Sequence, residues 1–186
     1  MKKRACMAIA GILALCMLCC CAAAEDVYGR EDNGVYENAA LGIRCELKGW
    51  QFYTKDQLSM FFTPITVMAA VKPSGFSNVN IQAQDLSRYA KAPSSDSELE
   101  EWLAMFIDPV KEEYARQGFR EIQTEKSEVA AGERIFPCLK MSFRTQSEYR
   151  YQKEIMYLHN QYLVFVTVTG ESFEETDALF AGFDLT

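Results

Sequence analysis

Along "LGIRCELK" the apolar residues Leu41, Ile43, Cys45 and Leu47 alternate with Arg44, Glu46 and Lys48. A period of two sends the two sets to opposite faces of a pleated backbone, so the run predicts a half-buried strand, ended by Gly49. Trp50, Phe52 and Tyr53 follow as an aromatic anchor, and Thr54 is placed to cap a short helix through "KDQLSMFF". "PITVMAAVK" and "SNVNIQAQDL" flank the turn signal "PSGF", which predicts two strands joined by a loop.

The rhythm changes between Ser97 and Gln117. Leu99, Trp102, Leu103, Phe106, Ile107, Val110 and Tyr114 recur at steps of three and four, the stripe of a helix with one buried face. Ser97 with Glu100 fits a capping box and Gly118 a C-terminal stop. Pro109 predicts a kink or break near Asp108, because proline has no N–H to donate along the helix. Glu98, Glu100, Glu101, Glu112 and Glu113 read as the solvated side of this helix.

Beyond Gly118, "REIQTEKSEVAAGERIFPCLKMSFRTQ", "EYRYQKEIMYLHNQ" and "YLVFVTVTG" predict three or four strands with connections short enough for antiparallel pairing. Ser172 and Glu175 form another capping box before a short helix over 174–181, and "GFDL" closes the chain. Strands in runs with helices between and after them define an α+β domain: an antiparallel β-sheet flanked by one long and two short helices.

Residues 1–24 stand apart. Lys2, Lys3 and Arg4 precede the apolar run Ala5–Leu18, and Ala22–Ala24 offers a cleavage site, the arrangement of an export signal. Leu18-Cys19-Cys20-Cys21 also resembles a bacterial lipobox, so two outcomes stand: release after Ala24, or lipidation of Cys21 and anchoring to a membrane. Either places the domain in the cell envelope or outside the cell. The polar, glycine-containing residues 25–34 read as a flexible linker, leaving 35–186 as a single domain.

The leader takes three of the 19 basic residues and none of the 26 acids, so the remainder carries 16 bases against 26 acids, net −10. Such a surface repels nucleic acid and anionic lipid, which leaves the Cys21 anchor as the expected membrane contact. Five of the seven cysteines also lie in the leader; Cys45 and Cys138 remain and are expected as buried, unbridged thiols.

The succession "VYENAALGI…KGWQFY", "NVNIQAQDL", a helix ending in "QGF", the long strands "RIFPCLKMSF" and "EIMYLHNQYLVFVTVTG", and a helix after "ESFEETDALF" resembles the PsbP-like α/β/α sandwich. That family includes an extrinsic photosystem II subunit, a nuclear-import factor that binds the Ran GTPase, and bacterial secreted or lipid-anchored proteins of unknown function. The resemblance implies a non-enzymatic binding or assembly role without a cofactor, for an unknown protein or glycan partner.

Candidate chemistry is sparse. His159 is the single histidine, and two isolated cysteines lack the paired spacing of a zinc site, so no metal is expected. The alternative function is a small secreted cysteine hydrolase using Cys138 and His159; such a site requires Cys138 or Cys45 within hydrogen-bond reach of His159, with Asn160 or another group orienting the ring. The candidate binding surface is a tyrosine ladder, Tyr149, Tyr151 and Tyr157, on one face of a strand, since exposed tyrosines suit recognition and buried ones are packing.

Overall fold

A computed structural model describes residues 25–59, 66–73, 75–87, 93 and 95–186. The leader, with Cys21, lies outside the described residues. Among them the strands are β1 (Arg30–Asp32), β2 (Val35–Asn38), β3 (Ile43–Glu46), β4 (Gln51–Phe52), β5 (Thr66–Val71), β6 (Asn78–Asp85), β7 (Arg120–Ala131), β8 (Arg134–Arg144), β9 (Tyr149–His159), β10 (Tyr162–Gly170) and β11 (Phe183–Leu185). The α-helices are α1 (Lys55–Leu58), α2 (Asp96–Arg116) and α3 (Phe173–Phe180).

Seven strands form the main sheet in the order β4-β5-β6-β10-β9-β8-β7, with every neighbouring pair antiparallel. The β9–β10 hairpin turns on Asn160, whose φ of 53° suits the tight two-residue connections that match strand twist. β7 and β8 meet at Gly132, where φ is 59° and an added Cβ would lie 3.0 Å from the Phe183 carbonyl oxygen. A smaller sheet, β1-β2-β3-β11, forms from the N-terminal strands and the last one.

Two cores follow from strand alternation. Even-numbered residues of β9 and odd-numbered residues of β8 and β10 face α2: Leu139, Met141, Phe143, Met156, Leu163 and Phe165 pack with Leu99, Leu103, Val110 and Tyr114. The opposite face, with Val79, Ile81, Cys138, Ile155, Tyr157, Val164 and Val166, packs against the small sheet through Leu41, Ile43, Cys45 and Phe183, and against Phe180 of α3. The molecule is therefore an α+β sandwich whose second cover is a small sheet together with a short helix.

The structure departs from the sequence reading in three places. Residues 25–34 are part of the fold: Glu25–Tyr28 form a 3-10 turn, Val27 is 2 % exposed, and β1 pairs with β2. α2 starts two residues earlier than its stripe indicates, capped by Ser95, whose hydroxyl accepts from the Glu98 N–H. It also runs through Pro109 without a break, because Val110 and Tyr114 beyond the proline stay on the buried stripe.

Candidate functional site

The tyrosine ladder shares one face of β9, as its spacing predicts, and the structure gives its members three environments. Tyr157 is core: it is 2 % exposed, its hydroxyl donates to the Leu41 carbonyl at 2.9 Å, and its ring lies 5.9 Å from that of Phe136. Burial holds its phenol well above the ordinary tyrosine range. Tyr151 is half-buried, edge-on to Phe173 of α3 at 4.9 Å. Tyr149 is on the surface, 43 % exposed, with its hydroxyl on the Glu121 carboxylate, which also takes Arg144 at 2.9 Å. Tyr157 is thus removed from the candidate surface, because the small sheet seals the strand face above it.

Cys138 and His159 are not brought together. Cys138 pairs across the sheet with Ile155, four residues before His159, which amounts to roughly 13 Å along the strand. The Cys138 thiol is fully buried, and that burial pushes it up to about 11, the wrong direction for a nucleophile. The His159 Nδ1 is engaged at 2.7 Å with the Thr186 carbonyl oxygen, and Asn160 donates to the Ala40 carbonyl at 3.3 Å. Both side chains fasten the small sheet to the main one. Cys45 is also a buried free thiol, pushed up to about 12 by desolvation. Among the described residues no group of three or more His, Cys, Asp or Glu is placed to hold a metal.

A concave feature lies at the β4–β5 side of the main sheet. A cleft of about 330 Å³ opens where the N-terminal turn, β2 and the β4–α1 segment meet the edge of β5. Val67, Met68 and Leu58 form its apolar floor, Tyr28, Phe52 and Tyr53 its aromatic walls, and Glu31 and Lys55 stand at its mouth.

The local sequence explains this shape. Thr54 and Gln57 complete a capping box that starts α1 immediately after β4, so Lys55 is turned back over the Tyr28 ring with its Nζ 4.7 Å from the centroid. Gly29, with φ of 63°, brings the chain so close to β2 that an added Cβ would lie 2.6 Å from the Glu37 carbonyl oxygen. Buried Tyr36 ties the turn down by donating to the Tyr28 carbonyl at 3.0 Å. Phe52 and Tyr53 were legible as an aromatic anchor; Tyr28 was not, since it lies in the segment that reads as a linker.

No protein-family model matches the chain, and no curated protein matches it in sequence. The fold is similar to the solution structure of cyanobacterial PsbP (CyanoP) from Synechocystis sp. PCC 6803, with a TM-score of 0.56, 11 % identity, and coverage of 85 % of this chain and 96 % of that one. At that identity the likeness establishes the architecture alone. Among the described residues no helix is long and apolar enough to cross a membrane.

Proposed function

We propose that the protein is an exported, non-enzymatic binding or assembly module of the cell envelope or extracellular space, released after Ala24 or anchored through a lipid on Cys21, and that it holds a protein partner at the cleft. The carrying observation is the cleft itself: aromatic walls over an apolar floor, with one cation and one carboxylate at the rim. About 330 Å³ is at the small end of ligand sites and fits one inserted side chain better than an extended glycan. Amphipathic aromatics gathered at one depression are what a binding hot spot consists of. The hydrolase alternative draws no support from a buried thiol and a histidine four residues out of register.

The test is affinity capture from the native envelope with wild type, Tyr53→Ala, Lys55→Glu and Tyr149→Ala. Loss of an anchor aromatic costs about 2 kcal/mol or more of binding, so Tyr53→Ala should weaken capture at least tenfold. Lys55→Glu should change its salt dependence, and Tyr149→Ala should leave it intact. Retention by both cleft variants with loss in Tyr149→Ala would move the site to the β9 surface.

A further inference from the structure

On the sheet face against which α2 packs lies a patch that its apolar surroundings do not lead one to expect. Asn80 of β6, Thr167 of β10 and Glu154 of β9 form one row across three neighbouring strands; Asn78, Thr169 and Gln152 form the next. All of these side chains point to the α2 face. Glu154 is 1 % exposed and Asn80 7 %.

The row holds more acceptors than donors. Glu154 accepts one hydrogen bond, from Thr167 Oγ1 at 2.9 Å, and the Asn80 Oδ1 is the buried side-chain atom without a partner among the described residues. In the next row Gln152 Oε1 already takes Tyr114 of α2 at 2.9 Å and Thr169 at 3.2 Å. A buried carboxyl with one donor and no cation keeps its proton, because ionising it would add charge where nothing compensates it.

Among the described residues the surroundings supply no such cation. Tyr114 is the titratable residue on α2's buried positions, and the Glu154 charge can only raise it further. β6 and β10 contribute amides and hydroxyls, and β8 contributes Leu139 and Met141. Lys126 of β7 ends the row, exposed at the sheet edge beyond Leu139. On β9 itself, Arg150 is held by Glu148 at 2.9 Å and lies over the Phe76 ring, while Lys153 faces the other way, to Asp177.

We propose that Glu154 is a proton-operated latch for α2: when neutral it lets the helix seat on the sheet, and when ionised it loosens the helix and opens the polar patch to water. The proton comes from and returns to solvent as pH changes. Desolvation moves this carboxyl up to about 7, so the transition falls near neutrality. The sign follows from linkage. In the seated state the group holds its proton to a higher pH than in the open state, so seating is fully favoured below about 4.5, weakens as pH rises, and has lost this contribution above about 7.

Native-state hydrogen exchange tests it, with intrinsic rates divided out. α2 amides from Leu99 to Tyr114 should be less protected than those of β8–β10, and their protection should fall about tenfold between pH 6 and pH 8. Glu154→Gln, which keeps the shape and cannot ionise, should flatten that dependence. A carboxyl-carbon NMR titration of Glu154 in the wild-type protein covers the case in which the variant misfolds: a midpoint below pH 5 overturns the proposal. It is equally overturned if α2 protection is independent of pH, if the glutamine variant keeps the wild-type dependence, or if α2 exchanges in step with β8–β10 at every pH.

Discussion

Tyr157 and Tyr149 lie on one face of one strand, so a comparison of their substitutions isolates the effect of burial. Removing the Tyr157 ring deletes a filled volume beneath the small sheet and leaves the Leu41 carbonyl without its donor. Tyr157→Ala should therefore cost about 3–5 kcal/mol, and Tyr157→Phe about 1–3 kcal/mol for the unsatisfied acceptor alone. Tyr149→Ala should leave the urea midpoint essentially unchanged, since its ion-pair neighbours are solvated. Urea unfolding of the three variants measures this; equal costs at both positions would contradict the assigned environments. The shared face of these tyrosines was legible from their odd spacing. Which part of that face is covered was not, because the cover comes from Leu41, over a hundred residues away. For the same reason Gln152 and Glu154 gave no sign of burial: a polar residue at an even position reads as solvent-facing until α2 is laid over it.

At the scale of elements, α2 departs most from its local chemistry. Pro109 withholds the hydrogen bond that the Met105 carbonyl would otherwise receive, and its ring crowds the preceding turn. The helix persists because Leu99, Leu103, Val110 and Tyr114 are all seated on the sheet, and because the Met105 side, 63 % exposed, lets water reach the unpaired carbonyl. Tertiary burial thus overrides a propensity penalty of roughly 3 kcal/mol, an outcome that helix periodicity cannot announce. Pro109→Ala should restore the bond and raise stability by about 1–3 kcal/mol. A rise in the urea midpoint at unchanged slope is the expected reading; no rise would mean that the half-buried proline ring contributes packing equal to the lost bond. α3 was legible as an element from Ser172 and Glu175, but its attachment was not. Glu175 accepts from Lys72 and Ser77, both at 2.9 Å, so the capping residue also joins α3 to the β5–β6 connection.

For the whole molecule, the question is where the domain begins. Composition assigns 25–34 to a linker because seven of its ten residues are charged or glycine with no hydrophobic period. The decisive contacts are few and distant: Val27 enters the core of both sheets, its carbonyl accepts from buried Asn38 at 2.8 Å, and the Tyr28 carbonyl accepts from buried Tyr36 at 3.0 Å. A chain starting at Val35 would lose the Val27 burial, worth about 1.5–3 kcal/mol, and leave two buried donors without acceptors at about 1–3 kcal/mol each. The sum is roughly 4 kcal/mol or more, which for a domain of this size lowers the melting temperature by about 10 °C. Thermal unfolding of the chain from Glu25 and the chain from Val35 makes the comparison. The same truncation removes Tyr28 and Glu31 from the cleft, so partner capture should fall with stability, even when measured well below the melting point of the shorter chain. Equal melting temperatures would return residues 25–34 to the role of a tether; a lowered melting temperature with undiminished capture would leave the fold as described and place the partner elsewhere than the cleft.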